Sequence, residues 1–184
     1  MTQTPEAILH LEKCLLRPHC ESDAEDVSRE ANNPRIAKWM TNRFPHPYRV
    51  DDAKKWMASI KSQPEVNAFV ICRKDDNRAI GGIGLENRTD VNYRTMVLGY
   101  WLGEDHWGQG IVTEAVTALS QWAFEKFPHV IRNWAAVIEV YTQPHHVISD
   151  MSLVSIPLAA LHPCGCEMWH VTYIDSVGGW TIAS

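Results

Sequence analysis

The pattern of apolar and polar positions along the chain predicts short strands interleaved with amphipathic helices. Leu11 to Leu16 alternates imperfectly before Arg17-Pro18 and reads as a first strand. A polar stretch from Ser22 to Asn33 predicts a short helix that Ser22 or Asp23 caps and Asn33-Pro34 closes. Asp51-Asp52 opens a stronger helix through Ile60, with Trp56, Met57 and Ile60 on one side and Lys54, Lys55 and Lys61 toward water. Ala68 to Cys72 and Ile80 to Leu85, parted by the charged turn Lys74-Asp75-Asp76-Asn77, predict a hairpin. Val97 to Leu102 is a third apolar run, and the glycine inside it, Gly99, predicts a bulge or a point where something approaches the backbone. Val112, Ala115, Val116, Leu119, Ala123 and Phe127 then recur at helical spacing up to Pro128, with Trp122 widening the stripe. Arg132 to Val140, carrying Trp134, Ala136 and Ile138 on one face, reads as a further strand.

Between the third apolar run and the long helix lies Trp107-Gly108-Gln109-Gly110-Ile111-Val112-Thr113-Glu114-Ala115. Without a Cβ, Gly108 and Gly110 are free to take positive φ and to let another molecule come close to the main chain. The helix behind them brings unpaired N–H groups and the positive end of its dipole, so a pyrophosphate is the matching guest. Two glycines in isolation, however, more often make a plain tight turn. Gly81, Gly82 and Gly84 lie in a strand-like run with no helix directly after it, and close packing or a bulge accounts for them better than a dinucleotide loop.

With 184 residues, 45% of them hydrophobic, and a net charge of -5, the chain reads as one soluble globular domain. Its apolar runs fall short of the roughly 18 to 20 residues of a membrane span, and acidic Glu6 stands where a signal peptide has a basic flank, so a cytoplasmic protein is expected. No basic stripe offers itself to a nucleic acid. Five cysteines at irregular spacing make no disulfide framework, and Cys14 and Cys72 are expected to be buried thiols.

After Glu139 the composition changes. All 17 Lys and Arg residues precede that point, while the remainder holds three acids, Asp150, Glu167 and Asp175. It shows no clear periodicity apart from short apolar runs such as Val154 to Leu161, and His145-His146 reads as exposed tail. In the His162, Cys164, Cys166 and His170 group the Cys-x-Cys gap is tighter than the usual two to four residues and no second cluster accompanies it, so no metal is expected. Trp39, Trp56, Trp122 and Trp134 fit element faces that build a core, whereas Trp101 and Trp107 flank the glycine loop and are placed to shape a cleft.

Several blocks in order carry a resemblance: Leu15-Leu16-Arg17-Pro18 followed by Asp23, then Ile80 to Leu85, then Leu98-Gly99-Tyr100-Trp101-Leu102 leading to Trp107-Gly108-Gln109-Gly110 with Thr113-Glu114-Ala115. Together they resemble the GNAT superfamily of acetyl-CoA-dependent N-acetyltransferases, and within it the ribosomal-protein alanine N-acetyltransferases. The resemblance covers roughly residues 9 to 139 and sets 140–184 apart as an atypical tail. It implies an α/β (α+β) fold with a mixed, mostly antiparallel sheet flanked by helices. The Val97 and Arg132 strands would splay apart to admit acetyl-CoA. Pyrophosphate would meet the N–H groups of Gln109, Gly110, Ile111, Val112 and Thr113, with Gly108 permitting the turn, and pantetheine would pair with main chain of Tyr100, Trp101 and Leu102. Backbone N–H near Trp101 or Leu102 would hold the thioester oxygen.

Many relatives carry a Glu where this chain has Val97, so a base must come from elsewhere. Among Glu86, Glu104 and Glu114, Glu86, which follows the Ile80 to Leu85 strand, is the preferred base, acting directly or through water. Glu104 reads as a solvated loop residue and Glu114 as a first-turn helix acid. The Phe44 to Tyr48 segment is a rigid linker by itself, but in relatives it borders the acceptor entrance, so His46 and Tyr48 are candidate substrate contacts. The family's continuation into an Asn-containing turn, a covering helix and a final hairpin with Gly-Phe is absent after Glu139, as is the group that protonates the leaving thiolate. A translated intron or frameshift would produce such a tail, as would a natural short form. The implied function is acetyl transfer to a primary amine on a protein N-terminus or a small molecule. The alternatives are a truncated non-catalytic form and an acetyl-CoA-binding module without transfer. Loss of the covering helix would expose apolar sheet, which favours homodimerisation or aggregation.

Overall fold

A computed structural model describes residues 4–62, 67–135, 171–174 and 180–183. The chain forms two units, Met1–Tyr141 and Thr142–Ser184. The first is built on a six-stranded sheet in simple sequence order. Its strands are β1 (Leu9–His10), β2 (Leu15–Pro18), β3 (Ala68–Cys72), β4 (Ala79–Asn87), β5 (Thr95–Leu102) and β6 (Arg132–Ala135). Every neighbouring pair is antiparallel except β5 and β6, which run parallel across an intervening helix. Such a pair needs a long crossover, and the helix supplies it.

Among the described residues four α-helices accompany the sheet: α1 (Ala24–Ala31), α2 (Pro34–Ala37), α3 (Val50–Lys61) and α4 (Ile111–Lys126). On one face, Leu16, Phe69, Ile71, Ile83, Leu85 and Leu98 pack with Ile111, Ala115, Leu119 and Ala123 of α4. On the other, Val70, Cys72 and Ala79 pack with Ala24, Val27 and Ala31 of α1 and with Ala53 and Met57 of α3. The helices sit where strand alternation sends the apolar side chains, one set to each face.

Several expectations are corrected. The first strand is broken into β1 and β2, because Leu11 N–H donates to Cys14 O (3.0 Å) and closes a turn at Glu12-Lys13. Asp23 does not cap α1 with its side chain. Its carboxylate instead accepts Cys20 N–H at 2.8 Å and the Arg17 guanidinium at 2.7 and 2.8 Å, all of it buried. No bulge marks Gly99: β4 and β5 pair without interruption from Gly81↔Leu102 to Asn87↔Met96, and the irregularity lies at Ile71/Cys72. Trp56 is 46% exposed, since the buried stripe of α3 is Ala53, Met57 and Ile60, with Trp56 at its edge. Gly81 and Gly82 serve close packing, as a Cβ would stand 2.5 Å from Trp101 O or 2.7 Å from Trp101 Nε1.

In the second unit, β7 (Val171–Ile174) and β8 (Trp180–Ala183) form an antiparallel pair. The sequence shows no clear strand periodicity there, although β-branched residues are frequent in both segments. The readings of 136–140, His145-His146, Val154 to Leu161 and the His162 to His170 group lie outside the described residues.

Candidate active site

The loop between β5 and α4 takes the conformation that its glycines permit. Gly108 has φ 75° and Gly110 φ 72°, both in the left-handed region that disfavours other residues. Gly110 is the N-cap of α4, and no side chain caps the helix there. Glu114 N–H is bonded to Gly110 O at 3.2 Å, so the N–H groups of Ile111, Val112 and Thr113 precede the helical ladder. Those of Gln109, Gly110, Ile111, Val112 and Thr113 have no hydrogen-bond partner among the described residues. Five donors in sequence at the positive end of a 16-residue helix make a fit for an anion of pyrophosphate size.

The adjoining strand supplies a second row of main-chain groups. Arg88 N–H donates to Thr95 O (3.1 Å) and Gly103 N–H to Ile80 O (2.8 Å), which fixes the alternation of β5. Thr95, Val97, Gly99 and Trp101 therefore turn their main-chain groups toward β4, while Leu98, Tyr100 and Leu102 turn theirs to the opposite edge. Pairing with β6 runs from Thr95↔Arg132 to Leu98↔Ala135, so Tyr100 and Leu102 lie beyond the described pairing. Leu102 O accepts the indole N–H of Trp107 at 2.9 Å. Both main-chain groups of Tyr100 and the N–H of Leu102 are left without a partner among the described residues. Trp101 contributes its indole, which covers Gly82 on the α1/α3 side of the sheet.

Glu86 stands directly across from Val97 in the β4–β5 register. Facing residues of an antiparallel pair have Cβ atoms about 5 Å apart on one face, so this carboxylate occupies a position adjoining the Val97 site. Its side chain is 57% exposed and lies 3.6 Å from Arg43 Nη2. Val97 and Tyr100 are about 10 Å apart along the strand, which suits a water relay better than direct contact with a reacting group at Tyr100. The loop carrying Arg43 folds over the same face: Phe44 meets Trp101 edge-on at 6.0 Å and Tyr48 at 4.8 Å. His46 is exposed on this loop, but Tyr48 is only 6% exposed. Tyr48 is held inward by Asn32 Oδ1 on its N–H (3.0 Å) and Ser28 Oγ on its carbonyl (3.2 Å), and burial pushes its phenol up to about 12.

Glu114 is the first-turn acid of α4 that the sequence predicts, and both it and Glu104 have partners in the fold. Glu104 lies in the loop as expected, its side chain 33% exposed, but it is also ion-paired with Arg35 and accepts Asn33 Nδ2 at 2.6 Å. The Glu114 carboxylate accepts the main-chain N–H groups of Glu12 (2.7 Å) and Lys13 (2.9 Å), tying the β1–β2 turn to the head of α4. Lys13 itself, which sequence reasoning passed over, donates from Nζ to Gln109 O at 2.8 Å. No local pattern marks that contact, because its partners are 96 residues apart. Among the described residues no group of three or more His, Cys, Asp or Glu side chains is placed to hold a metal ion.

The geometry has counterparts among known proteins. The uncharacterized N-acetyltransferase p20 of Bacillus licheniformis is 28% identical over 117 residues, or 63% of this chain and 65% of that protein. The chain thus covers slightly less than two thirds of that relative's length. RimJ from Mycobacterium smegmatis, solved in complex with CoA-disulfide, superposes with a TM-score of 0.61 at 20% identity over 75% of this chain and 70% of its own. A ribosomal-protein-S5-alanine acetyltransferase from Vibrio fischeri gives 0.52 at 22% identity over 64% of this chain and 67% of its own. At such identities the two structures speak to the fold. The family model for the acetyltransferase (GNAT) domain matches residues 13–151, and the chain belongs to that family.

Proposed function

We propose that this protein is an acetyl-CoA-dependent N-acetyltransferase whose acceptor is a primary amine, on a protein N-terminus or a small molecule. The observation that carries the reading is the row of unpartnered N–H groups from Gln109 to Thr113, shaped by left-handed Gly108 and Gly110, set beside the open edge of β5. The loop would hold the pyrophosphate, and the main chain of Tyr100 and Leu102 would pair with pantetheine amides as an added strand does. Trp101 and Trp107 both stand at the Leu102 end of that edge, Trp107 through its bond to Leu102 O. Acetyl-CoA would supply the acetyl group as a thioester: the amine nitrogen would bond to its carbonyl carbon, the C–S bond would break, and CoA would leave as a thiolate that takes its proton from solvent.

The Tyr100 N–H faces the open edge and is the donor for the carbonyl oxygen as it gains charge, which leaves Tyr100 C=O and Leu102 N–H for pantetheine. A preorganised donor of this kind is worth about 3 kcal/mol of barrier. Glu86 is the base that takes the amine proton through water, and His46 lies on the loop that folds over the same face. RimJ bound to CoA and the ribosomal-protein acetyltransferase share this fold, which supports the cofactor and a protein N-terminus as the first acceptor to try. Among the described residues no helix is long and apolar enough to cross a membrane. That absence and the free thiols of Cys14, Cys20 and Cys72 accord with a cytoplasmic site of action.

A second reading rests on the tail. The domain would end near 139, and residues 140–184, with no Lys or Arg, would not supply the covering helix of the family. The protein would then bind acetyl-CoA without transferring acetyl. Calorimetric titration with acetyl-CoA, followed by an assay of CoA release with amine-bearing peptides and small amines, separates the two. Binding with turnover supports the enzyme, binding without turnover the module, and no binding sinks the cofactor assignment.

A further inference from the structure

Lys13 holds the carbonyl that must face away from an anion. Its ammonium donates to Gln109 O at 2.8 Å and stands 2.6 Å from the point where a Cβ on Gly110 would be. It thus occupies the space that the missing side chain leaves. Gln109 C=O and Gly110 N–H belong to one trans peptide unit and point in opposite directions. With the carbonyl drawn toward Lys13, the Gly110 N–H is turned to the side away from Lys13, and it precedes the unpartnered donors of Ile111, Val112 and Thr113 in the chain. A flipped peptide would instead present a carbonyl oxygen to a phosphate, and left-handed glycines have little intrinsic resistance to flipping. Lys13 is held in turn, since Glu114 accepts the main-chain N–H groups of Glu12 and Lys13.

We infer that Lys13 is a positioning residue that fixes the 109–110 peptide with its N–H toward the ligand and so sets affinity for the pyrophosphate of CoA. The inference rests on the cofactor reading above. The Glu114 contacts use main chain only, so Lys13→Met keeps them and its thermal midpoint should match that of the unaltered protein.

The test compares CoA with acetyl-pantetheine, which lacks the pyrophosphate, on the full chain and on Lys13→Met and Lys13→Arg. Lys13→Met is expected to weaken CoA by about tenfold, the scale of one well-placed charged hydrogen bond, and to leave acetyl-pantetheine unchanged. Lys13→Arg should restore most of the loss. In the ligand-free protein, the amide proton resonance of Gly110 should move in Lys13→Met and return in Lys13→Arg. CoA affinity within twofold of the unaltered protein, or an unmoved Gly110 amide, overturns the inference. If the unaltered protein binds no CoA, the cofactor reading falls, and the Gly110 resonance alone decides whether Lys13 sets the peptide.

Discussion

In the proposed reaction Glu86 is the base, because the chain has no carboxylate at Val97 and places one directly opposite. Glu86→Gln keeps the size and the β4 position while removing the base. We expect kcat/KM for amine acetylation to fall by about 10² to 10⁴, with CoA affinity unchanged, measured by CoA release and calorimetry. An undiminished rate would reassign the base. Buried Arg17 and Asp23 make the opposite kind of pair, closed on each other and on the main chain around Cys20. Hydrogen bonds from Arg17 and from the Cys20 N–H outweigh burial and hold the Asp23 carboxyl below its ordinary value. The sequence displayed Arg17 and Asp23 but not their bond, since nothing local distinguishes a cap from an ion-pair partner.

At the scale of elements, β4 and β5 show two uses of glycine on one face of a continuous register. A Cβ on Gly82 would lie 2.7 Å from Trp101 Nε1, whereas one on Gly99 meets nothing within 4 Å. Gly82→Ala should therefore destabilise the protein by about 1 to 3 kcal/mol, through overpacking against the indole. Gly99→Ala should be neutral or stabilising by up to about 1 kcal/mol. Urea unfolding of both variants checks the contrast, which equal midpoints would contradict. Sequence periodicity disclosed the hairpin, α3 and α4 because each has a strong apolar stripe of the right period. It misjudged Leu11 to Leu16 because a turn at Glu12-Lys13 preserves approximate alternation while reversing the chain. For the site, the glycine loop was legible from local spacing. Lys13, the pairing of Glu104 with Arg35 and the inward set of Tyr48 were not, since each arises from tertiary contacts between distant segments.

Over the whole molecule, acid and ligand should move stability in opposite directions. His19, its Nδ1 buried without a hydrogen-bond partner among the described residues, is lowered by burial to about 4. The unfolded chain takes up that proton near pH 6.5 and the folded chain only near 4, so stability is full above 6.5 and declines through this window. Asp23, also depressed, adds a loss at still lower pH, below the unfolded carboxylate value near 4. Thermal midpoints across pH 3 to 8 should fall on the acid side of 6.5, and His19→Gln should flatten the decline between 6.5 and 4. Saturating CoA, at a hundred times its Kd, should add about 2.7 kcal/mol and raise the midpoint by several degrees, while acetyl-pantetheine should add less. The clasp between the β1–β2 turn and the head of α4 also bears on biosynthesis. Its halves are made about a hundred residues apart, Glu12 and Lys13 early and Glu114 late. At the usual pace of 5 to 20 residues per second, translation separates them by roughly 5 to 20 s. During that interval the nascent chain holds Lys13 but not the helix it braces, so a pulse-labelled chain should gain CoA-dependent protease resistance only after α4 has left the ribosome.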